Sequence, residues 1–208
     1  MSLHRVVLTA LLSTCGLAVG CAEEQLFEGL DLQNARFVSC NLQRAQFSNC
    51  RFGEAQLLNI TQSPRLLLRS SQLDGPIFEY VRLNDARWNR VTVDGLEAYG
   101  LTADEWEIEA SELSELTLER SYLRSVRLDH TELRDLRSEY SSIPGGRWQN
   151  TGFGDSDFQG CDFSEGSFYR GSFEDARFRY VDFSDVRLEN CDISGLVVNG
   201  VRIDELID

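Results

Sequence analysis

The sequence predicts an all-β fold in which the chain turns a corner after every five residues and winds into a tube. Three observations support this fold class. Large apolar residues recur with a period of five, phenylalanine and tyrosine occupy different positions of that period, and small residues stand two places before the large ones. The period is clearest in residues 151–188, where the large residues are Phe153, Phe158, Phe163, Phe168, Phe173, Phe178, Phe183 and Leu188.

A five-residue period fits neither regular element. In an α-helix, five residues advance about 500°, so the apolar row drifts around the cylinder. In a continuous strand, odd spacing places alternate members on opposite faces. A chain that bends after every five residues keeps the large residue, called position i, and position i−2 on the inner side. Positions i−1, i+1 and i+2 then point outward, the last two at the corner.

The period covers most of the chain. Position i first holds Phe27, Leu32, Phe37, Leu42, Phe47, Phe52 and Leu57. The step from Leu57 to Leu68 is one residue longer than two periods, and it contains Pro64, which cannot donate to a β-ladder. We expect a bulged corner or a short loop at residues 60–66. From Leu68 to Ile203 the period is unbroken, and position i is large and apolar except at Ala98, Ala103 and Ser138.

The aromatic residues separate inner from outer positions. All 12 phenylalanines stand at position i, whereas all 6 tyrosines stand at outward positions. A ring without a hydroxyl is favourable to bury, and a phenol needs a hydrogen-bond partner when buried. Position i−2 is mostly Ala, Ser, Cys or Gly, and large and small residues together can fill a narrow tube.

Three units carry a specific resemblance. CNLQR at residues 40–44, CDFSE at 161–165 and CDISG at 191–195 match Ala-(Asp/Asn)-Leu-x-x, so the chain resembles pentapeptide repeat proteins. The resemblance implies a right-handed quadrilateral β-helix with four units per coil, so that residues 20 apart stack. About nine coils at ~4.8 Å give a rod of roughly 43 Å. Stacking would pair Phe153 with Phe173, Phe158 with Phe178 and Phe163 with Phe183, making the C-terminal half the most stable part.

The N-terminus resembles the signal peptide of a bacterial lipoprotein. Arg5 precedes an apolar run at residues 6–19, and the segment ends in LAVGC at Cys21. The resemblance implies cleavage before Cys21 and acylation of its thiol. Ala22, in place of Asp, implies an address at the outer membrane. An ordinary signal peptide or an uncleaved anchor are the alternatives. The predicted organisation is a signal peptide at 1–20, a linker at 21–24 with a reach of ~14 Å, and the β-helix at 25–208.

Charge limits the partners. The formal net charge is −14 and every cation is an arginine, which disfavours nucleic acid or an anionic membrane surface as an electrostatic partner. No cation lies between Arg90 and Arg120, where all carboxylates fall on outward positions. We call this set the acidic block: Asp94, Glu97, Asp104, Glu105, Glu107, Glu109, Glu112, Glu115 and Glu119. A solvated surface is favoured over a divalent cation site or a mimic of nucleic acid. Trp106, at an i−2 position, is expected to fill space left by Ala98 and Ala103.

The sequence contains no pattern of a catalytic, cofactor or metal site. Cys40, Cys50, Cys161 and Cys191 are i−2 residues, and no two are 20 apart, which favours free thiols over disulfides. They form no cluster with histidine. His130 is expected at a solvated corner with no partner nucleophile. We therefore predict no enzyme activity and no cofactor.

An outward column suggests a contact surface. Tyr80, Tyr140 and Tyr180 share one corner at multiples of 20 with Arg120, and Tyr99 lies beside them. We call Tyr80, Arg120, Tyr140 and Tyr180 the tyrosine stripe. Exposed Tyr and Arg are enriched in binding hot spots, and five coils would extend the stripe over roughly 24 Å. Chance clustering is the alternative.

Two functions of different classes follow. The first is a lipid-anchored, non-catalytic scaffold of the cell envelope that binds an unknown protein or cell-wall partner. The second, from the family resemblance, is an acidic mimic of DNA that inhibits a topoisomerase. Export separates them, because a protein outside the cytoplasm does not meet gyrase. Val201, Ile203, Leu206 and Ile207 are expected to close the last coil, or that end forms a two-fold homodimer, as in family members that target gyrase.

Overall fold

The computed structural model describes residues 26–39, 42–60 and 65–206, and in these ranges the regular elements are all short β-strands. The predicted signal peptide 1–20 and linker 21–24, with Cys21, lie outside the described residues. The first strands are β1 (Leu26–Glu28), β2 (Arg36–Val38), β3 (Gln46–Ser48), β4 (Arg51–Gly53), β5 (Gln56–Leu58), β6 (Leu67–Arg69), β7 (Gln72–Asp74), β8 (Ile77–Glu79), β9 (Arg82–Asn84), β10 (Arg87–Asn89), β11 (Thr92–Asp94), β12 (Glu97–Tyr99), β13 (Thr102–Asp104) and β14 (Glu107–Glu109). The remaining strands are β15 (Glu112–Ser114), β16 (Thr117–Glu119), β17 (Tyr122–Arg124), β18 (Arg127–Asp129), β19 (Glu132–Arg134), β20 (Arg137–Glu139), β21 (Arg147–Gln149), β22 (Gly152–Gly154), β23 (Asp157–Gln159), β24 (Ser167–Tyr169), β25 (Arg177–Arg179), β26 (Arg187–Glu189), β27 (Val197–Val198) and β28 (Val201–Arg202).

Successive strands belong to four faces that repeat in order. Face A contains β1, β3, β6, β10, β14, β18, β21, β24 and β26. Face B contains β4, β7, β11, β15, β19 and β22, face C runs from β2 to β28, and face D contains β9, β13 and β17. Single bridges extend faces B and D, for example between Gly152 and Ser172 and between Ser142 and Asp162. The predicted four-sided solenoid is therefore confirmed, while its right-handed winding stays an implication of the resemblance.

The coils stack in register, as the period predicts. Phe158 pairs with Phe178 in adjacent strands, and their rings stack at 4.6 Å with 4° between the planes. Across the insertion the offset grows by one residue, so that Phe47 pairs with Leu68. The extra residue is thereby confirmed, although residues 61–64 themselves are not described. Face A has nine described strands, so about eight turns separate its ends. The first and last strands of this face are therefore about 38 Å apart, close to the length of about 43 Å expected for roughly nine coils.

Almost every corner places its i+2 residue in the left-handed region. Asn34 has φ 55°, Asp135 has φ 53° and Gly145 has φ 64°. Glycine reaches this region freely because it has no Cβ, and Asn and Asp tolerate it. Other residues reach it only at a cost in free energy, because the Cβ approaches a carbonyl oxygen. This explains why Asn, Asp and Gly recur at the fifth position of many units. Arg120 and Tyr140 have the same conformation, with φ 50° each.

Some corners carry an additional β-turn hydrogen bond. In the 161–165 unit, the N–H of Gly166 donates to the carbonyl of Phe163, and the carboxylate of Asp162 accepts from the N–H of Ser164 at 2.8 Å. Asp182 with Ser184 and Asp192 with Ser194 repeat the side-chain contact. An Asx contact of this kind fixes the local turn, and so the Asp-Phe-Ser pattern has a direct geometric reason.

The inner positions form a continuous core. Phe158, Phe163, Phe168 and Phe178 are almost completely buried, and Ser138, the polar exception at position i, is buried as well. Trp106 points inward and packs edge-to-face against Trp88, with the ring centroids 4.7 Å apart. The aromatic residues are divided as predicted: phenylalanines occupy the inner positions, and none of the six tyrosines is buried.

The C-terminal end differs from the prediction. The chain reverses at Asn199 and Gly200, which both have positive φ, and β28 pairs antiparallel with β27 on face C. Val201 and Leu206 are exposed at 49% and 69%, so the expected closure of the last coil is wrong for these two residues. Ile203 packs partly against the core, and Ile207 lies outside the described residues. An Asn-Gly turn favours a hairpin over another corner because both residues adopt left-handed conformations readily.

The last coil is only partly covered for the same reason. Phe183 is half-buried and Leu188 is 45% exposed, although both occupy position i. Position i predicts that both side chains are buried, but burial also requires another coil stacked on top of them. The hairpin supplies that cover on face C alone.

Candidate functional site

The tyrosine stripe lies along the corner that follows face C. Tyr80, Tyr140 and Tyr180 are exposed and share the left-handed corner conformation. The corner N–H groups donate to the coil that follows, for example from Tyr140 to the carbonyl of Gln159 at 2.9 Å, which aligns the column. With ~4.8 Å per coil, five coils separate Tyr80 from Tyr180, about 24 Å. The structure thus brings the predicted residues into one row.

Glycines of the following coil make room for two of the rings. A Cβ added to Gly100 would lie 3.0 Å from Cδ1 of Tyr80, and one added to Gly160 would lie 3.0 Å from Cδ1 of Tyr140. Both rings therefore lie along the corner over glycine backbone and expose one face. Tyr180 is 82% exposed, the highest value of the three. The alternation of tyrosine and glycine, visible in the sequence, has this packing as its physical reason.

Arg120 joins the N-terminal end of the stripe to Tyr99. Its Nη1 donates to the hydroxyl of Tyr99 at 2.9 Å, and its guanidinium lies 5.8 Å from the centre of that ring. The rings of Tyr80 and Tyr99 meet edge-to-face at 5.4 Å. The nearby Tyr99 phenol raises the pKa of Tyr80, because two phenolates at this distance repel each other.

The C-terminal half of face C presents an open groove of about 820 Å³ beside Tyr140 and Tyr180. Its arginines alternate with carboxylates, and the guanidinium of Arg179 contacts the carboxylate of Asp157 at 2.8 Å. The charged lining residues are Asp135, Arg137, Glu139, Asp155, Asp157, Asp175, Arg177, Arg179 and Arg202. Aromatic side chains next to mixed charges are typical of surfaces that bind proteins.

The acidic block lies outward, as predicted, but the fold supplies cations that the linear sequence separates from it. Arg124 holds Asp104 through two hydrogen bonds of 3.0 and 2.5 Å, and Arg87 contacts Glu107 at 3.1 Å. The hydrogen bonds from Arg124 hold the pKa of Asp104 below its usual range. Residues 20 apart become neighbours, so a cation-free stretch of sequence is not a cation-free surface.

Two segments, residues 24–57 and 156–195, match the family model described as Pentapeptide repeats, with eight copies. Both segments contain β-turn corners, such as those closed by Gly166 and Ala176. Between them the five-residue unit continues, with one inserted residue before Leu68, and the strands of faces A, B and C remain paired. These two segments consist of pentapeptide repeats.

Several solved structures are similar to this one at low sequence identity. HetL, involved in heterocyst differentiation regulation in the cyanobacterium Nostoc sp. strain PCC 7120, is 14% identical over 85% of this chain and 88% of its own, with a TM-score of 0.38. Rfr23 from the cyanobacterium Cyanothece 51142 is 11% identical over 58% and 90%, with a TM-score of 0.43. QnrB1, a plasmid-mediated fluoroquinolone resistance protein, is 15% identical over 85% and 92%, with a TM-score of 0.34. No curated protein matches the chain.

The reactive side chains of this protein are dispersed over the described residues. Cys50 and Cys161 are buried free thiols and Cys191 is a half-buried one, while Cys40 lies outside the described residues. Burial raises the pKa of the Cys50 thiol, which opposes thiolate formation. His130 is exposed at a corner, and its Nδ1 lies 2.8 Å from the carboxylate of Asp129.

The described residues contain neither a metal-binding cluster nor a membrane-spanning helix. Among the described residues, no group of three or more His, Cys, Asp or Glu side chains is placed to hold a metal ion. The described part of the chain also contains no helix with the length and apolar character needed to span a bilayer.

Proposed function

We propose that this pentapeptide repeat protein is a lipid-anchored, non-catalytic interaction scaffold of the bacterial cell envelope. The observation that carries the scaffold role is the alignment of Tyr80, Arg120, Tyr140 and Tyr180 on one corner of a rod. The filled core supports the absence of catalysis, because the inner positions are occupied by packed side chains. Binding energy at protein surfaces concentrates in a few aromatic and arginine side chains, and a rigid row presents them without an ordering cost.

The proposed anchor is an acyl chain on Cys21, at the end of the LAVGC segment, with the protein at the outer membrane. Labelled palmitate should appear on the protein in cells, and the label should disappear with Cys21→Ser. Globomycin should cause the unprocessed form to accumulate. An unlabelled protein recovered from the soluble cytoplasm would contradict the anchor and favour the alternative, an acidic DNA-mimicking topoisomerase inhibitor.

The proposed partner surface has a separate test. The double variant Tyr140→Ser and Tyr180→Ser should lose capture of a crosslinked protein or cell-wall partner from intact envelopes. The matched control replaces two tyrosines away from this corner by serine, the exposed Tyr122 and the half-buried Tyr169. Equal capture by both double variants would exclude the tyrosine stripe as the contact. The proposed homodimer through the C-terminal coil has its own test: the sedimentation coefficient should increase with protein concentration if the dimer forms.

A further inference from the structure

Six arginines lie close together on the N-terminal part of the solenoid, five of them on face A along β6, β10 and the corners on either side, and one, Arg51, on β4 of face B. We call them the arginine patch: Arg44, Arg51, Arg65, Arg69, Arg87 and Arg90. All six are exposed, and three carboxylates lie in the same area: Asp85 on the corner of Arg44 and Arg65, Asp31 in the coil next to Arg51, and Glu28 on β1. Arginines therefore outnumber carboxylates here, although the formal net charge of the protein is −14.

Most arginines of the patch form no ion pair with a described carboxylate. Arg87 contacts Glu107 at 3.1 Å, but within the described residues no carboxylate lies within ion-pair distance of the other five arginines. Arg44 and Arg65 occupy the same corner in successive coils, since Gln46 pairs with Leu67. Two guanidinium groups one strand spacing apart repel each other, and an anion placed between them removes that repulsion.

The patch ends abruptly along the rod. Arg87 pairs with Glu107 in the next strand of face A, and both outward residues of that strand, Glu107 and Glu109, are acidic. In the same coil, Glu105 continues the corner of Arg65 and Glu112 continues the column of Arg51. The fold therefore places the arginines and the glutamates in different coils, a separation that the net charge of the whole chain does not show. Net acidity argues against an anionic surface for the whole molecule, but it does not describe this part of face A.

The N-terminal tether enters the solenoid on the same face. β1 begins at Leu26 and is the first strand of face A, where Leu26 pairs with Gln46 and Gln46 with Leu67. Arg44 and Arg65 therefore lie about 5 and 10 Å along the rod from the tether. Five residues from Cys21 to Leu26 span at most about 17 Å. A lipid on Cys21 would bring the arginine patch within reach of the bilayer surface.

We propose that the arginine patch binds the phosphate groups of anionic phospholipids in the leaflet that holds the N-terminal lipid. This inference rests on the proposed anchor at Cys21 for its occupant. Guanidinium groups bind phosphate oxygens in a bidentate manner, and basic patches add to the membrane affinity of a single lipid chain. The rod then leans on the membrane with the N-terminal part of face A, while the acidic coil beyond it turns away.

The test compares two sets of arginine substitutions with the same net charge. The patch variant carries Arg→Gln at Arg44, Arg65, Arg69 and Arg90, and the control variant carries Arg→Gln at Arg127, Arg137, Arg147 and Arg177. Both are made in the full chain with Cys21→Ser, so that no acyl chain contributes and residues 1–20 are identical. Cosedimentation is measured with vesicles of phosphatidylcholine, with and without phosphatidylglycerol, at low and physiological salt.

We expect the control to partition onto phosphatidylglycerol vesicles like the Cys21→Ser parent, and the patch variant to partition about tenfold less. The difference should shrink at higher salt and vanish on phosphatidylcholine alone. Equal partitioning of the two variants overturns the proposal. So does preferential release of the protein from vesicles by duplex DNA at equal phosphate concentration, or self-association of the parent that only the patch variant loses.

The two proposals fail independently. Palmitate labelling that is absent, with patch-dependent vesicle binding intact, removes the anchor but keeps the anionic lipid contact. Normal labelling with equal partitioning of both variants keeps the anchor and removes the contact.

Discussion

At the scale of the residue, the backbone conformation of the corner position i+2 determines which side chains can occupy it at low cost in free energy. Almost every i+2 residue adopts positive φ, yet the chain places Tyr140 and Arg120 there as well as Asn, Asp and Gly. Each such L-residue costs about 1 kcal/mol or more relative to a relaxed conformation. The cost is repeated along the rod and must be offset by the core. Bulky residues at these positions are therefore candidates for selection by binding rather than by stability.

Gly160 tests how the tyrosine ring and the corner backbone interact. Gly160→Ala should cost about 1 kcal/mol for positive φ, and about 0.5 kcal/mol more because the Tyr140 ring must move. In a Tyr140→Ala background, only the backbone cost should remain. Urea unfolding of the four proteins of this double-mutant cycle gives the coupling.

Gly145 is the matched control, because its φ of 64° is similar and a Cβ there would meet nothing within 4 Å. Gly145→Ala should show the backbone cost alone, with or without Tyr140→Ala. Strict additivity between Gly160→Ala and Tyr140→Ala would show that the ring does not rest on this glycine.

At the scale of the element, the terminal hairpin is the part that departs from the repeat. β28 covers the edge of β27, and Asp204 fixes it by accepting hydrogen bonds from the guanidinium of Arg202 at 2.8 Å and from the N–H of Gly195 at 2.9 Å. These contacts hold the pKa of Asp204 well below its usual range. A lowered carboxyl pKa stabilises the hairpin above the unfolded pKa of about 3.9, and this is lost only as pH falls through the lower folded value.

Gly200→Val should open this hairpin, because a β-branched residue is strongly disfavoured at φ 82°. We expect faster hydrogen exchange at the amides of Val197 and Asn199, which donate to the preceding coil. Exchange near β10 should be unchanged. Gly152→Val is the control, since a Cβ at Gly152 meets nothing within 4 Å and its φ is not positive. Uniform exchange rates in both variants would show that the hairpin does not protect the last coil.

At the scale of the whole molecule, stability accumulates from contacts between neighbouring coils. Every described strand pair except the terminal one is parallel and in register, so each inner residue packs on its equivalent one coil away. The column of phenylalanines around Phe158 should therefore be the most stable region, as the sequence predicts. The partial exposure of Leu188 limits this to the coils before the last one.

Phe158→Ala should destabilise the protein by about 3–5 kcal/mol, because the residue is completely buried and stacks on Phe178. The midpoint of urea unfolding, followed by circular dichroism, measures the loss. Tyr180→Ala, at an exposed corner, should change the midpoint little, by less than about 0.5 kcal/mol in free energy. Similar losses for the two variants would contradict the inward and outward assignment of aromatic residues.

The sequence by itself determined the unit of the fold. A five-residue period with Phe at i, small residues at i−2 and Tyr outside specifies which side chains face the core, because only a chain with regular corners buries such a row. It also located the inserted residue before Leu68 and the stripe of Tyr80, Tyr140 and Tyr180. These features depend on local spacing, which a linear sequence records directly.

Only the tertiary structure decided what lies beside what. Arg124 contacts Asp104, and Arg44 lies one coil from Arg65, because the winding of the chain brings residues about 20 positions apart to one strand spacing. The hairpin at Gly200 and the exposure of Leu188 depend on whether another coil follows, which a repeat pattern does not record. Burial and electrostatics are properties of neighbours in space, and so they emerge only when the coils are stacked.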